Sequence, residues 1–372
     1  MKKCTWCGKE YPDAAEQCAI DGQPLTGGPP QAARRAERAG RAPAPLFSAR
    51  HPSRIAGDAD WHPTLIDLNQ VEGAFVFREG YSRPDWKIIG EAIRKTVSSD
   101  RVSEGWTEAA VQWARQVGAD LGEAYQARWS REFILLSALE PAAANALLAF
   151  AEETLEKIYG LLQDAAWRSG HGKHVIFLFA EDDDYYQYVS DFYADGVHPT
   201  SGGCLIHRGY VHIAMPYLDG RHVRRALAHE LMHNCVVHLR LPVWLNEGLA
   251  VVFDRTVAQG RQPILDHELR DRHLAFWNAG RIQTFWAGVS FGEPGDSNEL
   301  SYSLAEILVN LLLSQSQGFG EFVKHADWHD AGQTAALDVL GSDLGQIAAT
   351  FLGEGNWRPN RKAIGMLLES KV

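Results

Sequence analysis

Apolar side chains recur along this chain with two periods, and their alternation sketches a mixed fold. Trp106, Ala110, Trp113, Val117, Leu121 and Tyr125 fall three or four residues apart, the spacing that lines one face of a helix. A second amphipathic helix is predicted from Pro141 to about Gln163. Short continuous apolar runs, FILLSAL at 133–139 and HVIFLF at 174–179, read as strands because charged and glycine-rich turns bound them. Gly202-Gly203 opens CLIHRGYVHIAM, whose central Arg208-Gly209 should turn a hairpin. A helix follows from about Arg221 to Leu239, and the rest reads as helical, notably 243–258, 265–277 and 301–315. The expected class is α+β: a small mixed sheet, a helix carrying the chemistry described below, and a helical carboxy-terminal part. No internal repeat with a period of 20–50 residues is visible.

The pattern divides the chain. Residues 1–26 form a small cysteine-bearing unit, and 27–50, GGPPQAARRAERAGRAPAPLFSAR, hold too few apolar side chains to offset the entropy of ordering. A flexible linker is drawn at 27–57, a helical amino-terminal region of unassigned role at 58–130, and the main domain at 131–372. By position, 58–130 is a candidate for shaping or covering a cleft.

Composition narrows the function classes. With 45% hydrophobic and 22% charged residues among 372, the chain has the make-up of a water-soluble globular protein. A net charge of −11 argues against a nucleic-acid partner for the body, since phosphate binding needs a clustered basic surface. The start, Met1-Lys2-Lys3-Cys4, lacks the apolar stretch of a secretory signal, and a cytoplasmic location is expected. The longest apolar run, Leu304 to Leu313, is broken by Glu306 and Asn310 and falls short of the ~20 residues that cross a bilayer. Of five cysteines, three crowd into the first 18 residues, which in a reducing compartment suggests metal ligation more than disulfides; Cys204 and Cys235 stand alone, the latter expected as a small buried side chain.

The chemistry centres on His229-Glu230-Leu231-Met232-His233 within a predicted helix. Residues four apart share a helix face, so both imidazoles can reach one zinc ion, and Glu230 projects beside them toward the metal's water. That arrangement suits peptide hydrolysis, with the carboxylate as general base. Fourteen residues after His233, Glu247 lies early on a second helix that starts at Pro242, in Leu241-Pro242-Val243-Trp244-Leu245-Asn246-Glu247-Gly248-Leu249-Ala250, and can supply a third ligand.

These two linked motifs resemble the gluzincins, the zinc metallopeptidases typified by thermolysin and the zinc aminopeptidases, and especially a compact bacterial branch carrying W-L-N-E-G-L-A. The resemblance covers about residues 130–355. It implies a thermolysin-like metallopeptidase domain, His229, His233 and Glu247 as ligands of a catalytic zinc, and Glu230 as base. It also implies an oxyanion stabiliser, for which Tyr302 is the first choice and His267 and His273 are the second. Tyr210 to Met215 sits where gluzincins place the edge strand that pairs with an extended substrate. The chain departs from the family twice. Thermolysin has an aspartate four residues after its ligand glutamate, whereas Val251 stands here, leaving the partner of a ligand histidine unidentified. The G-x-M-x-N motif that grips a free amino terminus is missing, the nearest text being Ile213-Ala214-Met215-Pro216, which favours internal cleavage.

Near the amino terminus, Cys4-x-x-Cys7 followed by Cys18 and Asp21 looks like a zinc ribbon whose fourth ligand has become a carboxylate. A structural zinc there, on a flexible arm, suggests recruitment to a partner protein. Asp182-Asp183-Asp184 reads as a solvated helix start. The expected function is a zinc-dependent endopeptidase acting on a protein or peptide; the alternative is a non-catalytic zinc module that uses the same fold to bind a partner.

Overall fold

The computed structural model describes residues 2–3, 10–11, 56–57, 61–167, 171–192, 202–259, 267–315 and 318–369. Two compact units emerge, Met1–Glu153 with Ser169–Leu227, and Thr154–Arg168 with Ala228–Val372. The fold is of mixed α+β class, as expected.

The first unit carries all the strands of the described residues: β1 (Lys2–Lys3), β2 (Glu10–Tyr11), β3 (Ala56–Gly57), β4 (Phe75–Arg78), β5 (Tyr81–Pro84), β6 (Gln126–Trp129), β7 (Phe133–Ser137), β8 (His174–Phe179), β9 (Cys204–Ile206) and β10 (His212–Pro216). Its helices are α1 (Trp86–Thr96), α2 (Val102–Leu121), most of α3 (Pro141–Leu162), α4 (Asp182–Ser190) and the start of α5 (Gly220–Val236). β1 and β2 pair antiparallel on either side of residues 4–9. Cys4, Cys7, Cys18 and Asp21 lie outside the described residues, as does most of the 27–57 linker.

The main sheet has the order β3-β6-β7-β8-β10-β9. β7, β8 and β10 run parallel, flanked by antiparallel β6 and β9. FILLS of β7 is buried throughout and HVIFLF of β8 almost so, which is why both read as unbroken apolar runs: parallel central strands are covered on both faces. The β9–β10 hairpin forms around Arg208-Gly209 as predicted. Gly209 has φ +77°, and the Trp86 ring occupies the space a Cβ would need, so only glycine serves there.

Two expectations change. β10 is an interior strand, hydrogen-bonded to β8 and β9, so Tyr210 to Met215 is not a free edge; the edge on this side is β9. The helical region drawn at 58–130 also holds the β4–β5 hairpin and β6, and β6 pairs with β7 from Gln126↔Ser137 to Trp129↔Ile134, across the boundary drawn at 130. The end of this segment, β6, belongs to the main sheet, while β4 and β5 pair only with each other.

The second unit is helical in its described residues: the end of α3, α5 from Ala228 onward, α6 (Val243–Gln259), α7 (His267–Phe276), α8 (Ile282–Trp286), α9 (Asp296–Gln315), α10 (Phe319–His325), α11 (Gln333–Leu340), α12 (Leu344–Leu352) and α13 (Arg361–Glu369). Trp244 and Trp286 anchor its core at an edge-to-face 5.5 Å, their indole N–H groups donating to the carbonyls of Ala331 (3.0 Å) and Trp357 (2.8 Å). No helix among the described residues is long and apolar enough to cross a membrane.

Buried histidines make the first unit acid-sensitive. His212 Nδ1 lies 2.8 Å from the Tyr210 carbonyl, which only accepts, so Nδ1 carries the proton and Nε2 accepts from the Tyr188 hydroxyl at 2.8 Å. Burial pushes its pKa down to about 3, and burial pushes His174 down to about 4. The unfolded chain takes up these protons below about pH 6.5 and the folded chain refuses them, so stability is intact above that pH and declines as pH falls toward 4. His212→Gln, which keeps a donor and an acceptor but cannot titrate, should lose less stability between pH 7 and 4.5 than the parent in urea melts; equal losses would clear His212 of the effect.

Candidate metal centre

Helix α5 is started by Asp219, whose carboxylate accepts from the backbone N–H groups of Arg221 (2.8 Å) and His222 (3.0 Å). In the second unit its turns present His229 and His233 from one face, with Glu230 92% buried beside them. Pro242 opens α6 by accepting from the N–H groups of Leu245 and Asn246, which fixes the helix start just ahead of Glu247.

His229, His233 and Glu247 converge as the sequence predicted, each offering one atom within 4.8 Å of the others. The two Nε2 atoms are 3.1 Å apart, and Glu247 Oε2 lies 3.8 Å from His229 Nε2 and 3.7 Å from His233 Nε2. Donors bonded to a tetrahedral zinc at ~2.0–2.1 Å stand about 3.3 Å apart, so the histidine pair fits and the carboxylate needs to close by about half an ångström. Facing the other way, His233 Nδ1 is 3.1 Å from Asn246 Oδ1 and His229 Nδ1 is 3.6 Å from Asp254 Oδ2. The Asn246 amide oxygen only accepts, so it keeps the His233 proton on Nδ1 and leaves that ring's Nε2 lone pair toward the cluster, whereas Asp254 faces His229 at ion-pair and not hydrogen-bond distance.

The electrostatics agree with that donor set. Burial alone would lower the pKa of His229, but its contact with Asp254 and the charges of Glu230, Glu247 and Asp254 outweigh burial and raise it to about 9. The pocket therefore attracts positive charge, whether a proton or a metal ion.

Asp254 and Asn246 are the members that reading the sequence missed. The thermolysin spacing points four residues past Glu247, to Val251, whereas Asp254 stands seven residues on, buried to 3% exposure. Seven residues of α-helix return to within about 20° of the starting direction and four overshoot by about 40°, so the helical period itself carried the signal. Asn246 sat inside the quoted motif, adjacent to the ligand, without a role.

Tyr302 reaches the site from α9. Burial, followed by the negative charges of Glu247 and Glu230 and a hydrogen bond to Glu247, raises its pKa well above the usual phenol value, so it remains a donor. Its ring packs edge-on against Phe291 at 5.2 Å. Gly248 allows this approach: a Cβ there would sit 2.8 Å from the Ala305 carbonyl oxygen and 2.7 Å from Val309 Cγ2, so α6 and α9 are in backbone contact one residue from Glu247 and three from Tyr302.

The second-choice histidines are occupied or placed elsewhere. His273 is fully buried, accepts from Trp277 Nε1 at Nδ1 (3.0 Å), and meets Ser303 Oγ at Nε2 (3.0 Å); burial lowers its pKa to about 4. His267 is exposed at the first residue of α7. Cys235 is fully buried, and Asp182, Asp183 and Asp184 form the first turn of α4.

Compared with protein-family models, curated proteins and solved structures, the chain matches none.

Two substitutions test this geometry. Asp254→Asn should keep the fold and weaken zinc binding by roughly 10–100-fold in chelator competition, because the amide supplies a hydrogen-bond partner without the charge; unchanged affinity would leave His229 without need of Asp254. Gly248→Ala should cost about 1–3 kcal/mol in denaturant melts despite the higher helix propensity of alanine, because α9 must move away.

Proposed function

We propose that this chain is a zinc-dependent peptidase of the gluzincin type, cleaving internal bonds of a protein or peptide. The observation that carries the reading is the convergence of His229 Nε2, His233 Nε2 and Glu247 Oε2 with the buried carboxylate of Glu230 beside them. A zinc ion held by those three atoms would polarise a substrate carbonyl and lower the pKa of a water molecule toward ~7.

The remaining work falls to the chain's own groups. Glu230 takes the proton of the attacking water on a carboxylate oxygen and returns it to the leaving amine, a role that adjacent helix positions 229 and 230 permit because the acid projects beside the ligand. Asp254 and Asn246 orient the two imidazoles so that neither ring turns away. Tyr302, kept protonated by burial and by the carboxylates, is a donor for the oxygen on which charge develops. An amine-gripping motif is missing from the sequence, which supports internal cleavage over trimming from a free amino terminus. A second, structural zinc on Cys4, Cys7, Cys18 and Asp21 and recruitment of a partner protein through that module belong to the same proposal.

The test is Glu230→Gln in the full chain, read in two ways. Metal content by elemental analysis should match the parent, while cleavage of a proteome-derived peptide library should fall by at least the 10²–10⁴-fold attributable to a general base. A zinc-loaded parent that cleaves nothing would replace the peptidase reading with a zinc-binding interaction module.

A further inference from the structure

Two serines flank Tyr302 in the otherwise apolar stretch Leu300-Ser301-Tyr302-Ser303-Leu304 of α9. Serine is a mediocre helix former, and its hydroxyl has to be paired where water is excluded. Both of these are paired with other elements. Ser301 Oγ, fully buried, lies 2.6 Å from the equally buried Ser290 Oγ in the turn at Ser290–Gly292. Ser303 Oγ lies 3.0 Å from His273 Nε2 on α7. The Trp277 indole only donates and occupies His273 Nδ1 at 3.0 Å, so the ring, kept neutral by burial, carries its proton on Nε2 and donates to Ser303. Beside it on α7, Arg272 reaches Glu299 at 2.8 Å, one turn before Ser303 on the same face of α9.

The contacts close into a ring. Tyr302 packs edge-on against Phe291 (5.2 Å), Phe291 stacks on Phe285 (5.6 Å), Phe285 meets Trp277 (5.7 Å), and Trp277 leads through His273 to Ser303, the residue next to Tyr302. Consecutive helix residues point ~100° apart, so the tethers on Ser301 and Ser303 lie on either side of the tyrosine and oppose a roll of α9 in both senses. A tyrosine oxygen stands on the order of 9 Å from the axis of its helix, so a roll of ~10° carries it ~1.5 Å. Packing tolerates such a shift more readily than catalysis does, since a misplacement of ~1 Å costs about 10²-fold in rate.

Resting on the peptidase reading with Tyr302 as the oxyanion donor, we propose that His273 is a positioning residue: through Ser303 it sets the roll of α9 and with it the place of the Tyr302 hydroxyl. Both ring nitrogens of His273 are engaged inside the protein, so it acts only through its neighbours.

The experiment is a double-mutant cycle in the zinc-loaded full chain, run on the library peptide that the parent cleaves fastest. Ser303→Ala, which removes one oxygen and suits a helix, should lower kcat by about 10–100-fold with KM and zinc content unchanged. His273→Leu should do the same, and His273→Gln, whose amide can accept from Trp277 and donate to Ser303, should recover most of the loss. Combined with Tyr302→Phe, Ser303→Ala should cost no more than about two-fold, because the hydroxyl it positions is gone. The zinc-free chain gives an independent readout: the fluorine NMR signal of 3-fluorotyrosine at position 302 should shift in Ser303→Ala and in His273→Leu and lie close to the parent's in His273→Gln. Ser303→Ala carries the reading if His273→Leu does not fold. An equal loss from Ser303→Ala with and without Tyr302→Phe, or an unmoved fluorine signal, overturns the proposal and leaves the peptidase reading intact. A zinc-loaded parent that cleaves nothing overturns both.

Discussion

Two imidazoles whose Nε2 atoms stand 3.1 Å apart, with the carboxylates of Glu230, Glu247 and Asp254 around them, form a cluster that draws in positive charge, and one proton shared between the rings already answers part of that pull. The helices around the cluster fix that arrangement. Helix α5 supplies the four-residue spacing, Pro242 starts α6 at the position that brings Glu247 round, and Asn246 and Asp254 hold the rings from behind.

The chain made much of this legible. The unbroken apolar runs of β7 and β8, the hairpin at Arg208-Gly209 and the helix boundaries of α3, α5 and α6 followed from periodicity and from the special chemistry of Gly and Pro. So did the meeting of His229, His233 and Glu247, since four residues on one helix and a short return to the next leave little choice. What escaped were features set by contacts between distant segments. That β10 is interior depends on β9 pairing outside it, and that β6 belongs to the sheet depends on its register with β7; neither pairing has a local signature. Tyr302 could be nominated by resemblance, but its approach to Glu247 rests on a helix crossing at Gly248 that no single window of sequence contains.

Asp254 is a different kind of omission. Its signal is local and arithmetical, one acidic residue two helical turns from Glu247, which the period of the helix reveals and the spacing of another protein does not. The distinction matters for reading such sites: the face of a helix is conserved by geometry, whereas the offset at which a given residue occupies it is not.

The unequal backing of the two histidines carries its own consequence. A carboxylate behind His229 makes that imidazole the more electron-rich donor, while the neutral amide of Asn246 leaves His233 the weaker one. The cluster is therefore lopsided in charge, though nearly symmetric in its distances to Glu247. Substitutions behind the two rings are therefore not equivalent, since one would remove a charge and the other only a dipole.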